Sequence, residues 1–180
     1  MKTKNVKKSI ILMAVVALFT TSCNPEFKDI KVSAENEEGL DMSKYETYAW
    51  LGSAQIIHDE LGQWDPPGEM DADLEIRSMI TKQMNKHKLK INETNPDLLI
   101  GYAAGIDLNV VEANENVKTG SIDFKQTPKG ALIISIMDAK TGNIIWLGVA
   151  DADVRVKPKA NRAKRRLQYA VKEMFKLLPK

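Results

Sequence analysis

Apolar positions along the chain concentrate around residues 130–154. Two apolar runs, residues 131–137 and 144–149, flank the turn Asp138-Ala139-Lys140-Thr141-Gly142-Asn143. An Asp side chain opens a type I turn, and Gly142 can take the left-handed conformation that closes a hairpin of this length. Both arms carry bulk at successive positions, which predicts a strand pair at the centre of a sheet covered on both faces. Residues 98–110 alternate most strictly: Leu98, Ile100, Tyr102, Ala104, Ile106, Leu108 and Val110 are all apolar, and the odd positions from Gly101 to Asn109 are small or polar. That period predicts a long strand with one buried face.

Shorter strands complete the pattern. Ile30, Val32 and Ala34 alternate with Lys31, Ser33 and Glu35, in a strand expected to start near Phe27. Residues 45–50 are aromatic and β-branched, Leu89 and Ile91 mark a brief strand, and so do residues 122–124. The polar stretch 112–120 reads as a mobile turn. Two stripes step by three or four. One is Ile76, Met79, Ile80 and Met84, behind Asp71 or Asp73 as a cap; the other is Ala163, Leu167, Ala170, Val171, Met174, Leu177 and Leu178. Between them the elements predict an α+β fold: a two-layer sandwich, mainly antiparallel sheet, with two helices packed on it. Residues 51–70 carry Gly52, Gly62, Pro66, Pro67 and Gly68 and no period. Long connections of this kind often carry function, and Trp64, Pro66 and Pro67 could line a ligand or partner surface there or merely pin the loop.

The amino-terminal pattern is of another kind. Lys2, Lys4, Lys7 and Lys8 form a basic region without an acid, followed by ten unbroken apolar residues at 10–19 and then Thr20-Thr21-Ser22-Cys23. Ten residues are too few to span a bilayer but suit the apolar region of a signal peptide. Small residues at 20–22 followed by Cys resemble the lipobox of bacterial lipoproteins. The resemblance implies cleavage before Cys23 and lipidation of that residue. The expected organisation is a lipoprotein signal peptide at 1–22, a lipidated Cys and short tether at 23–26, and a single α+β domain at 27–180.

Charge follows from that division. The whole chain has 26 basic and 24 acidic residues, a formal +2. Without the four lysines of residues 1–22, 22 basic residues face 24 acidic ones, so the remaining 158 residues carry about −2. A nucleic-acid partner is not expected. Cys23 is the only Cys, which removes disulfides, and lipidation would consume the one thiol available for metal binding or nucleophilic attack.

Candidate chemistry is sparse. His58 and His87 are the only histidines and lack metal-ligand spacing. Asp65, Glu69, Asp71 and Asp73 do not have the spacing of an EF loop, and capping explains Asp71 and Asp73 more simply. Asp151 and Asp153 share a strand face, where two acids more often form a solvated side than an acid pair. No nucleophile elbow, phosphate-cradling loop or dinucleotide fingerprint is present. Neither a metal, a cofactor nor a catalytic residue is therefore expected. Arg155, Lys157, Lys159, Arg162, Lys164, Arg165 and Arg166 cluster around the start of the last helix, where the macrodipole disfavours them. Arg162, Lys164, Arg165 and Arg166 are thus a candidate patch for anionic headgroups, against the alternative of a solvated face.

An ordered set of short motifs runs through the domain: Tyr45-x-Thr47-Tyr48-Ala49-Trp50, Pro96-Asp97-Leu98-Leu99-Ile100, and Leu132-x-x-x-Ile136-x-Asp138-x-x-Thr141-Gly142-x-x-x-Trp146-x-Gly148-x-Ala150, closed by Leu177-Leu178-Pro179. Together they resemble small bacterial envelope lipoproteins of a domain-of-unknown-function family. The resemblance implies an α+β sandwich on a lipid tether in the cell envelope, with the outer membrane of a Gram-negative bacterium as the expected location. It carries over no activity. Two function classes are open: a non-enzymatic binding or structural module that meets an envelope protein or anionic headgroups, and a hydrolase or lipid-handling protein with a loop-built site.

Overall fold

A computed structural model describes residues 25–52, 55–57, 71–107, 111–116, 121–126, 129–153 and 159–180, with the backbone alone described at 55–57, 106–107, 111–116 and 121–126. In chain order the elements are β1 (Lys31–Asn36), β2 (Thr47–Trp50), β3 (Gln55–Ile57), α1 (Ala72–Lys86), β4 (Lys90–Ile91), β5 (Leu98–Asp107), β6 (Val111–Asn116), β7 (Ser121–Gln126), β8 (Lys129–Asp138), β9 (Ile144–Asp153) and α2 (Ala160–Lys176). Single 3-10 turns precede β1 at Pro25–Phe27 and β2 at Met42–Lys44.

Seven strands form one sheet in the order β1-β9-β8-β5-β2-β4, with β3 beside β5 further along the edge that β2 occupies. The α+β class stands, but the mainly antiparallel two-layer sandwich does not: the sheet is mixed. Strands β1, β9, β8 and β5 are antiparallel neighbours, whereas β2 and β3 both run parallel to β5, and β4 runs parallel to β2. The physical reason is the crossover. Helix α1 lies between β2 and β5 in the chain and returns the backbone to the end from which β2 started, so the next strand must run the same way.

The hairpin of β8 and β9 sits inside the sheet, as the apolar runs predict. Its turn is built as expected: Asp138 Oδ1 accepts from the amides of Lys140 (2.8 Å) and Thr141 (2.9 Å), and Gly142 has φ 74°. Register aligns Ile100 with Ile136, Tyr102 with Ile134 and Ala104 with Leu132, and then Ile136 with Trp146 and Leu132 with Ala150. This row forms the face that carries the helices. Tyr48 reaches Thr81 of α1, Tyr102 reaches Asp73 of α1, and Trp146 packs on Phe175 of α2 at 5.5 Å. Ile76, Met79, Ile80 and Met84 of the first stripe are buried, as are Ala170, Val171, Met174 and Leu178 of the second. Leu177, the C-cap of the helix, is exposed instead, and Phe175 is buried in the core.

The other sheet face departs from expectation. Ile133 is 39% exposed, and Met137, Leu147 and Val149 are only half-buried, so among the described residues one face of the central hairpin is fully packed and the other is partly open. Bulk at successive positions identifies the strands but does not reveal whether a second layer exists. The stretch read as a mobile turn is also corrected. Residues 111–116 are strand β6, which pairs in antiparallel register with β7 as a separate two-stranded sheet. Cross-strand pairing supplies what the weakly apolar sequence of β6 does not signal by itself.

Polar residues of the sequence motifs fasten one end of this sheet. Asp97 Oδ2 accepts from the amides of Glu46 and Thr47, both at 3.0 Å, and from the Thr47 hydroxyl at 2.9 Å. Thr47 Oγ1 accepts in return from the Asp97 amide at 3.0 Å. The Asp97 carbonyl receives the Ala139 amide at 2.9 Å, and Tyr45 donates its hydroxyl to Asp138 at 3.2 Å. These bonds hold both aspartate carboxyls below their ordinary range, for Asp97 chiefly through the Glu46 amide and for Asp138 chiefly through the Thr141 amide.

Candidate functional site

Helix α2 begins against the electrostatic rule. Lys159 stands at its N-cap without a side-chain capping bond, and the first turn holds no acid. The positive end of the macrodipole and the added cations repel one another unless carboxylates arrive from elsewhere. They do, from two directions. Glu75 of α1 accepts from Lys164 Nζ at 2.6 Å. The segment before β1 supplies the rest: Arg165 Nη2 meets Glu26 Oε1 at 2.9 Å, and its Nε bridges both Glu26 oxygens at 3.2 and 3.3 Å.

Arg166 is the centre of the arrangement, with its side chain only 15% exposed. Its two terminal nitrogens take the two oxygens of Asp29, with Nη1 to Oδ1 at 2.9 Å, in the fork geometry that suits guanidinium and carboxylate. The same guanidinium donates to the Glu26 carbonyl and, at 3.2 Å, to the Asp153 carbonyl at the end of β9. The Asp153 amide donates to Asp29 Oδ2 at 3.0 Å. Phe27 stacks flat on Tyr169 of α2, ring centres 4.4 Å apart and planes 8° from parallel. Residues 25–29 are thereby fixed to α2 by an aromatic stack and a doubly anchored clamp. The hydrogen bond from Arg165 holds the Glu26 carboxyl below its ordinary range, and that from Arg166 does the same for Asp29.

Of the candidate cationic patch, then, Lys164, Arg165 and Arg166 face acids of their own chain. Arg162 has no ion-pair partner among the described residues and acts on Glu26 only through its field. Arg155 and Lys157 lie outside the described residues, as do Cys23, His58, Trp64, Asp65, Pro66, Pro67 and Glu69. Asp71 is the N-cap of α1, accepting from the Leu74 amide at 3.0 Å. Asp153 pairs with Lys129, whereas no bond joins it to Asp151. His87 caps α1 at its carboxyl end beside the Phe175 ring, and burial lowers its pKa. No group of three or more His, Cys, Asp or Glu that could hold a metal ion occurs among the described residues. Among them, no helix is long and apolar enough to cross a membrane.

One cluster went unread in the sequence. Asp73 accepts the Tyr102 hydroxyl and, at 3.0 and 3.2 Å, Arg77 Nε; the guanidinium lies 4.7 Å over the Trp50 ring and donates to the Gly52 carbonyl at 3.3 Å. The only sequence signal was the i, i+4 spacing of Asp73 and Arg77. Burial first and Asp73 second push the Tyr102 pKa far up, which keeps its hydroxyl protonated as a donor to Asp73. The cluster braces α1 against β2 and β5.

A family model described as "Domain of unknown function (DUF4136)" matches residues 32–180. No curated protein gives a significant match. Among solved structures, a DUF4136 family protein from Bacteroides thetaiotaomicron is similar with a TM-score of 0.51 and 11% identity, covering 82% of this chain and 95% of that one. A PDZ domain protein from Parabacteroides distasonis has a TM-score of 0.48 and 17% identity over 81% of this chain, which spans 34% of that protein's length. The PelC dodecamer from Paraburkholderia phytofirmans has a TM-score of 0.47 and 10% identity, covering 83% of this chain and 99% of that one.

Proposed function

We propose that this chain, which belongs to the DUF4136 family, is a lipid-anchored protein of the bacterial envelope that serves as a binding or structural module and not as a catalyst. The observation that carries the reading is the clamp of residues 25–29 on α2. Cys23 lies two residues before Pro25, so an anchor attached there would hold the domain through Arg165, Arg166 and Tyr169 at a fixed place instead of on a loose leash. Consistent with a non-catalytic role, the polar residues of the family motifs are occupied in fastening strands. The outer membrane of a Gram-negative cell is the proposed location, and an envelope protein the proposed partner. Arg162, which has no ion-pair partner among the described residues, adds attraction for anionic headgroups next to the anchor, and that attraction weakens with salt.

Metabolic labelling with a tagged fatty acid tests the anchor. The wild-type protein should take up label and partition into detergent, and Cys23→Ser should do neither. Labelling of the Cys23→Ser protein overturns the assignment. Cross-linking in intact cells tests the module: wild type should yield a discrete adduct that Cys23→Ser loses, and equal adducts from both would separate partner binding from the membrane.

A further inference from the structure

We propose that the β6–β7 hairpin is a second contact with the lipid surface, seated beside the anchor. The inference rests on the reading of Cys23 as the lipid-bearing residue. Its basis is a juxtaposition. Asp107 closes β5, pairs with Lys129 at the start of β8, and Lys129 pairs with Asp153 at the end of β9. Asp153 is the residue whose backbone joins Asp29 and Arg166 in the clamp. The same end of the sheet therefore carries the segment that follows Cys23, the cationic start of α2, and the two strand ends from which the hairpin leaves. Only three residues separate Asp107 from β6, and two separate β7 from Lys129.

Register makes the hairpin two-faced. Val111 pairs with Gln126, Ala113 with Phe124 and Glu115 with Ile122, which places Val111, Ala113, Ile122 and Phe124 in one row together with Glu115 and Gln126. The other row pairs Glu112 with Lys125, Asn114 with Asp123 and Asn116 with Ser121, and is polar throughout. Neither strand joins the main sheet. A two-stranded hairpin is marginal alone in water, and a row in which four of six residues are apolar gains stability where it meets an apolar layer. At the anchored end of the domain that layer is the interfacial zone of the bilayer, which receives elements apolar on one side and polar on the other.

The acylated protein beginning at Cys23, reconstituted into phospholipid vesicles, provides the test. Acylation occupies Cys23, so an introduced Cys is the only free thiol. Phe124→Cys, Asp123→Cys and Glu93→Cys are each labelled with an environment-sensitive dye, and vesicles are prepared with and without doxyl-labelled lipid. The expected result is a blue-shifted dye at 124 that doxyl lipid quenches several-fold more than the dye at 123, with the dye at 93, near the opposite end of the sheet, unaffected. Equal quenching at 124 and 93 overturns the proposal. A dye at 124 that is shielded without doxyl quenching, and increasingly so as protein concentration rises, also overturns it and assigns the row to a second copy of the chain. The mass of the amino-terminal peptide reports the anchor separately. A peptide without acyl groups refutes the lipidation reading, and Cys23→Ser protein carrying the dye at 124 and added to the same vesicles then decides the hairpin by the same quenching.

Discussion

Trp146 determines what its neighbour two residues on can be. The ring is fully buried and folds back over Gly148, where an added Cβ would come within 2.9 Å of Cζ2 and 3.0 Å of Cζ3. Phe175 packs on the same ring at 5.5 Å, so the indole has little room to retreat. The Trp-x-Gly spacing in the motif is thus a packing requirement. Gly148→Ala should cost about 1–3 kcal/mol by overpacking, and Trp146→Ala about 3–5 kcal/mol by emptying the centre of the core. The indole Nε1 is buried without a hydrogen-bond partner among the described residues. A buried donor left unpaired is itself unfavourable, which makes Trp146→Phe the mildest of the three changes. Chemical denaturation should order the midpoints as wild type and Trp146→Phe close together, then Gly148→Ala, then Trp146→Ala. A Gly148→Ala midpoint equal to wild type would mean that the ring has an alternative place.

At the scale of elements, the strand β2, the start of β5 and the β8–β9 turn are joined through Asp97 and Thr47. Their bonds are mutual, so removing either partner strands the other. Asp97→Ala and Thr47→Val should each cost about 1–3 kcal/mol, and the double variant less than the sum, as residues sharing one network do. Additive losses in a denaturation cycle would show that the two act separately. The same elements show what was legible beforehand. Periodicity revealed α1, α2, β5 and the β8–β9 hairpin because burial on one side leaves a mark at every second or every third and fourth residue. Strand direction leaves no such mark, so the parallel entry of β2, β3 and β4 was invisible. The clamp on α2 was invisible for a different reason. The basic run could be seen, but its partners Glu26 and Asp29 precede Arg165 and Arg166 by 137 to 140 residues, and no local spacing reports such a pair. A run of like charge at a helix start signals that counter-charges are needed, and only the fold identifies them.

For the molecule as a whole, the shifted groups predict how stability depends on pH. On the acid side, burial lowers the pKa of His87 from its ordinary 6.5, and hydrogen bonds lower those of Asp29, Asp73, Asp97 and Asp138 from 3.8. A lowered value means that, between the folded and unfolded pKa, the unfolded chain binds a proton that the folded chain refuses. The contribution of each group is therefore complete above its unfolded value and lost as pH falls through its folded value. Loss should begin below about pH 6.5 through His87 and resume below about pH 4 through the carboxylates. On the alkaline side, burial raises Tyr45, Tyr48 and Tyr102 above 10.0. Raised groups contribute fully below the unfolded value and lose that contribution as pH climbs through the folded one, so stability should decline above about pH 10. Between these limits lies a plateau. Thermal unfolding of the domain across pH should trace it, with a shoulder below pH 6.5 that His87→Phe removes while the deeper acid loss persists. A shoulder unchanged in His87→Phe would assign the first loss to a different group, and a midpoint still rising below pH 4 would reverse the sign argued for the carboxylates.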